Sequence, residues 1–125
     1  MSINLKSVFL VTRAVLPNMR AQKWGRIVKV SSGASMTGGS VGIHYSASKG
    51  GVDALSRAYA SRLVKEGITV NVVSPSLIAD KLVAQNIPMG RLGLPEEFAD
   101  AIVQAASNGF MTGQTIFLNG GRYFG

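Results

Sequence analysis

Apolar positions along the chain switch between a helical and an extended period, and the switches predict six elements. From Leu5 to Gln22, apolar Val8, Val11, Val15 and Met19 recur at i, i+3 and i+4 spacings, as on one face of a helix. Pro17 falls inside this stretch, so a kink or a lost backbone hydrogen bond is expected there. Gly25 ends the helix, and Arg26 to Ser31 has the β-branched content of a strand. Ser32 to Ile43 reads as loop, punctuated by Gly33, Gly38, Gly39 and Gly42. A second helix is predicted from about His44 to Lys65, with Val52, Leu55, Tyr59 and Leu63 as its apolar stripe and Gly67 as its stop. Ile68 to Val73 is a second strand, closed by Ser74-Pro75. An irregular stretch leads to Leu94 and a third helix that starts at Pro95, followed by Glu96 and Glu97 in its first turn. Gln114 to Leu118 forms a third strand, ended by Asn119-Gly-Gly121.

Strands separated by long helices imply right-handed crossovers and a parallel sheet, so the fold class is α/β. About three strands is small for an open sheet with helices on its faces. The 125 residues are one domain's worth of chain, and 46% hydrophobic content with a mean hydropathy of +0.24 requires a buried core. Cysteine is absent and histidine occurs once, which excludes disulfides and leaves little room for a transition metal, so no metal is expected.

The formal charge of +7 raises the question of nucleic acid. Lys6, Arg13 and Arg20 recur every seven residues, however, and a solvated stripe on an amphipathic helix accounts for them. No nucleic-acid motif accompanies the charges, and no such partner is expected. The start of the chain is interrupted by polar residues, and Val8 to Val11 is too short for a signal sequence or a membrane span. The reading is a soluble cytoplasmic protein with no membrane partner.

Two segments carry candidate chemistry. Gly33 to Ser40 nearly matches a phosphate-binding loop, but Gly39 stands where the phosphate-reaching lysine belongs, so a flexible active-site loop is the better role. Tyr45-Ser-Ala-Ser-Lys49 places a phenol and an ammonium at i and i+4 on one helix face. A tyrosine with an ordinary pKa of about 10 is a poor proton donor at neutral pH. A neighbouring ammonium stabilises the phenolate and makes the phenol a usable general acid/base. The pair alone also describes an ordinary helix surface. Around it stand Ser31-Ser32 at the carboxyl end of a strand, where α/β sheets bind ligands, and Asn4 near the start of the chain. Ser74-Pro75-Ser76-Leu77-Ile78 leaves the next strand at the same kind of end, followed by Pro95-Glu-Glu97, Thr112-Gly-Gln114 and Asn119-Gly-Gly121.

In this order and spacing, residues 3 to 121 resemble the short-chain dehydrogenase/reductase family, and within it the 3-oxoacyl-[acyl-carrier-protein] reductase-like enzymes. The resemblance implies a partial Rossmann-like parallel sheet and a catalytic tetrad of Asn4, Ser32, Tyr45 and Lys49. Tyr45 would exchange a proton with a carbonyl or alcohol oxygen, Ser32 would hold that oxygen, and Asn4 would hold a water of the proton relay. Lys49 would lower the tyrosine pKa and bind the nicotinamide ribose. The implied cofactor is NAD or NADP, with Tyr45, Lys49, Pro75, Ser76 and Ile78 on its nicotinamide side. The implied substrate is a small carbonyl or alcohol, or an acyl-carrier-linked one. Lys23 and Arg26, near the end of the first helix, could meet an acidic carrier, and solvated surface positions account for them equally well.

The departures from the family pattern are as informative. No Thr-Gly-x-x-x-Gly-x-Gly turn occurs, Ser76 stands where the family has glycine, and Asp80 stands where it has a threonine. The stretch from Asp80 to Gly93 also looks short for a segment that covers substrate. Residues 1–125 therefore read as a single truncated domain, the C-terminal half of such an enzyme without the N-terminal βαβ dinucleotide-binding half. Arg26 to Ser31 would then be a sheet edge. The helices near 5–22 and 44–65 would associate with another copy, or the chain with a complementary N-terminal half. The two functions that follow are an NAD(P)-dependent oxidoreductase, and a catalytically silent remnant acting as an oligomerisation or interaction module.

Overall fold

Helix α1 (Ile3–Gln22) is followed by strand β1 (Gly25–Val30), helix α2 (Ile43–Leu63) and a 3₁₀ turn (Val64–Glu66), then by strand β2 (Ile68–Pro75), helix α3 (Pro95–Ser107) and strand β3 (Thr115–Leu118). This computed structural model describes the backbone of residues 3–30, 43–75 and 87–121, and side chains at 6, 8–30, 50–75 and 87–121. The order is the predicted one. α2 tightens into the 3₁₀ turn before Gly67, whose φ of +78° is the left-handed stop that glycine supplies without strain. β2 runs two residues further than read, because Ser74 and Pro75 pair with Phe117 and Leu118 of β3.

The sheet is parallel, in the order β1-β2-β3. Gly25 is level with Ile68 and Val30 with Val73, so β1 and β2 start together and β2 runs two residues further at its carboxyl end. Every residue of the central strand is buried, as in parallel sheets covered on both faces. On one face Ile68 and Val70 pack with Leu16 of α1 and Ala60 and Leu63 of α2, flanked by Met19, Ile27 and Tyr59. Helix α3 packs over β1 and β2, and the segment after it reaches the opposite face, to which Asn71 turns by strand alternation. Among the described residues β1 is an edge of the sheet, as expected from sequence.

The buried stripe of α1 differs from the predicted one. Thr12 and Leu16 are buried and Val8 and Met19 partly so, whereas Val11 is 63% exposed and Val15 37%. A helix with apolar residues on more than one face does not say which of them its neighbours will cover. Thr12 enters the interior because its hydroxyl donates to the Val8 carbonyl at 2.7 Å and leaves nothing unsatisfied. Phe9 and Leu10 join Val11 and Val15 on the exposed surface. The stripe of Lys6, Arg13 and Arg20 is exposed, and Arg20 pairs with Glu66 at 3.2 Å.

Two staples fix the layers. At the amino end of the sheet, the Gly25 N–H donates to the Gly67 carbonyl at 3.2 Å, and a Cβ at Gly67 would lie 2.2 Å from the Lys23 carbonyl oxygen. The ends of α1 and α2 thus meet main chain to main chain. In the middle, fully buried Asn71 donates to the Met111 carbonyl at 2.9 Å and accepts from the Gln114 N–H at 3.1 Å. Thr112 Oγ1 accepts from the Val70 N–H and the Gly113 N–H donates to the Val70 carbonyl, so residues 111–114 are clamped to β2 before β3 begins.

Candidate functional site at the carboxyl end of the sheet

The direction of the helices decides which predicted residues can meet. Ala60 and Leu63, late in α2, pack on Ile68 and Val70, early in β2, so α2 runs back along the sheet and its first turns lie toward the strands' carboxyl ends. Leu16 and Met19, late in α1, join the same cluster, which sends the start of α1 the same way. At about 1.5 Å per helical residue and 3.3 Å per strand residue, the lengths of helix and strand left beyond the cluster are comparable. Asn4 in the first turn of α1, Tyr45 and Lys49 in the first two turns of α2, and Pro75 at the end of β2 therefore come to one end of the sheet. Tyr45 and Lys49 stand one turn apart on a continuous helix, as predicted. Ser32, Ser76 and Ile78, and the loop from Gly33 to Ser40, lie outside the described residues. The strands that precede them in the chain, β1 and β2, are adjacent and parallel.

Beneath this end, the layer between α2 and the sheet changes character. Next to the apolar cluster it holds buried Lys29 of β1, Ser74 of β2, and Asp53 and Ser56 of α2. Ser56 satisfies itself by donating to the Val52 carbonyl at 2.8 Å. Lys29 Nζ and Ser74 Oγ have no hydrogen-bond partner among the described residues. The ammonium stands 5.4 Å from the centre of the Tyr59 ring, and burial lowers its pKa from 10.5 to about 8. Sequence reading passed over Lys29. The available signal was a charged residue between Val28 and Val30, at the inward position that Ile27 also occupies.

A second feature of the same end closes over β3. The Met89 N–H donates to the Gly120 carbonyl at 3.0 Å, and a cavity of about 160 Å³ forms between Ile87, Phe98, Leu118 and Gly120. At its rim Arg91 donates two parallel hydrogen bonds to Glu97, at 2.8 and 2.9 Å, and Glu97 also accepts the Leu94 N–H at the start of α3. These hydrogen bonds hold the Glu97 carboxyl down to about 2, the Arg91 contribution being the larger. The described part of the stretch read as a substrate cover, residues 87–93, is thus docked on the end of β3.

Of the two cations near the end of α1 that could meet a carrier or be solvated surface, Lys23 is exposed, and Arg26 is half-buried and stacked 4.8 Å from the centre of the Trp24 ring. No helix among the described residues is long and apolar enough to cross a membrane.

Comparison with known proteins agrees with this geometry. Residues 1–89 match the family model described as short chain dehydrogenase. The chain is 37% identical over 131 residues to nodulation protein G of Azospirillum brasilense, covering 94% of this chain and 53% of that protein. It is 38% identical over 134 residues to a 3-oxoacyl-[acyl-carrier-protein] reductase of Buchnera aphidicola, covering 97% and 55%. An acetoacetyl-CoA reductase of Cupriavidus necator is 40% identical over 136 residues, covering 98% and 55%. The chain spans about half the length of the curated relatives it matches. With a parallel α/β sheet and a family match over most of its length, the chain belongs to the short chain dehydrogenase family.

Proposed function

We propose that this chain carries the proton-transfer part of an NAD(P)-dependent oxidoreductase that interconverts a carbonyl and an alcohol, with Tyr45 as general acid/base. The observation that carries the reading is the convergence of Asn4, Tyr45, Lys49 and Pro75 at one end of the sheet. In the reducing direction the Tyr45 hydroxyl gives its proton to the carbonyl oxygen, and in the oxidising direction the phenolate takes the proton back. Lys49 stabilises that phenolate from one turn away. Ser32 donates a hydrogen bond to the reacting oxygen and polarises it. Asn4 holds the water through which the proton is replaced.

A bound NAD or NADP supplies or accepts the hydride at its nicotinamide ring. The adjacent, parallel β1 and β2 support placing the nicotinamide end of such a cofactor outside their carboxyl ends, where open α/β sheets bind ligands. Lys49 would hold the ribose, and the main chain at Pro75, Ser76 and Ile78 the carboxamide side. The pyrophosphate end has no glycine turn in this sequence, and Asp80 repels it, so tight binding requires a complementary N-terminal half. The names of the relatives suggest a 3-oxoacyl thioester substrate, on an acyl carrier or on coenzyme A. The cytoplasm, where such cofactors are abundant, is the proposed compartment.

The second reading is a silent family remnant that acts as an association module. It is favoured by one observation: Phe9, Leu10, Val11 and Val15 leave an apolar surface on α1 uncovered. Another copy of the chain or a complementary half would cover it. Fluorescence titration with NADPH and NADH, followed by an acetoacetyl-CoA reduction assay, separates the two. The enzyme reading predicts no measurable turnover by the chain alone, and turnover when a glycine-turn N-terminal half is co-expressed. Association without any restored activity supports the module.

A further inference from the structure

The amino end of the sheet, opposite the proposed reaction site, holds a groove of about 450 Å³ that the proposed chemistry leaves unused. That volume is typical of a small-molecule site, which runs to roughly 300–1,000 Å³. Its walls come from the turn between α1 and β1 (Lys23, Trp24, Arg26), from Thr69 on β2, and from Phe110 and Thr112 after α3.

Two polar groups here are left unmatched among the described residues. Arg26 Nη1 donates to the Gly25 carbonyl at 2.9 Å and, at 3.4 Å, reaches the Gly67 carbonyl. Its Nε is buried without a hydrogen-bond partner among the described residues. Thr69 is level with Arg26 on the next strand, only 6% exposed, and its Oγ1 also lacks a partner among them. Buried polar groups left unmatched are costly. The unused Nε edge of a guanidinium is one that receives a carboxylate side-on, with a hydroxyl beside it for the second oxygen. Lys23 adds a positive charge at the rim, where its φ of 54° is unusual for a non-glycine residue. The apolar features point the same way: Phe110 is fully exposed and Trp24 is 55% exposed, both lining the groove.

We propose that this groove binds a small aromatic carboxylate, its carboxylate on Arg26 and Thr69 and its ring against Trp24 and Phe110. Binding there requires the Arg26 side chain to turn its buried Nε edge toward the groove. A carboxylate fits better than a phosphate, because one guanidinium and one hydroxyl match two oxygens and one charge.

Trp24 is the single tryptophan of the chain and reports directly on the groove. Titration with cinnamate should quench its fluorescence saturably, and the uncharged cinnamyl alcohol should bind at least about tenfold more weakly, since it lacks the charged contact. Arg26→Gln should abolish the response. Because Arg26 also ties two main-chain carbonyls, Phe110→Ala and the isosteric Thr69→Val provide the second test, each weakening cinnamate several-fold with an unchanged melting curve. No saturable quenching at millimolar cinnamate overturns the proposal. So does equal affinity for the alcohol, or unchanged affinity in both Phe110→Ala and Thr69→Val. Tighter binding of phenyl phosphate than of cinnamate overturns the carboxylate assignment.

Discussion

On the face covered by α1 and α2 the amino end of β2 is sealed: Ile68 and Val70 pack against Leu16, Ala60 and Leu63, and Gly67 touches Lys23 main chain to main chain. Toward its carboxyl end the same face of the sheet turns polar, with Lys29 and Ser74 buried and unmatched among the described residues. Apolar burial and close packing hold the first region together. The second gives up part of that stability to keep hydrogen-bonding groups beneath the end where Tyr45 and Lys49 stand. Stability and chemistry are thus separated along a single strand, and mutations should fall into two classes according to which end they touch.

Glycines at the two ends give the sharpest contrast. Gly67→Ala should cost about 3 kcal/mol or more in chemical denaturation, because a left-handed φ coincides with a backbone clash. Gly90 has nearly the same φ, +80°, but open space around its Cβ position. Gly90→Ala should cost only about 1 kcal/mol, the conformational term alone. Equal losses at the two sites would show that the base is not sealed by the Gly67 contact. Next in size, Asn71→Leu removes the two side-chain hydrogen bonds that Asn71 adds to the clamp on residues 111–114 and should cost about 2–3 kcal/mol, with amide exchange rising first in β3.

The polar region should behave in the opposite sense. Lys29 has its pKa lowered in the folded state, so the unfolded chain holds the proton more tightly. Stability should therefore be penalised in full below pH 8 and rise with pH between about 8 and 10.5. Lys29→Met should raise stability at pH 7 by about 1–3 kcal/mol and flatten that rise. A destabilised Lys29→Met protein would mean that the ammonium has a partner of real value. The smallest effect concerns exposed Glu97, whose pKa is depressed. Its contribution is present above 4.5 and fades as the pH falls toward 2, and Glu97→Gln should erase only this shallow acid limb of the melting curve.

Much of this contrast was readable in the sequence, and the unreadable part has a common cause. Helical and extended periods, with the Pro95-Glu-Glu start signal, located the three α-helices and three strands, and Gly67 announced its own turn. Tyr45 and Lys49 could be paired because i and i+4 meet on any helix. The buried face of α1 was misread because its apolar residues occupy more than one face, and the choice of Leu16 over Val15 belongs to α2 and the sheet. The length of β2 was set by β3, which no local pattern at Ser74-Pro75 reveals. Likewise, the burial of Lys29 under Tyr59 and the stacking of Arg26 on Trp24 follow from tertiary neighbours. Local periodicity carries the elements, and non-local packing decides which polar groups become unusual.

The central claim is that Tyr45, activated by Lys49, moves the proton at the carboxyl end of the sheet. The direct measurement is the rate of NADPH oxidation with acetoacetyl-CoA, across pH, for the chain co-purified with a glycine-turn N-terminal half and for its Tyr45→Phe variant. The account predicts turnover with a tyrosine-dependent pH profile, and a loss of about 10²-fold or more in Tyr45→Phe while NADPH binding is kept. An active complex in which Tyr45→Phe retains the rate and the pH profile would contradict it.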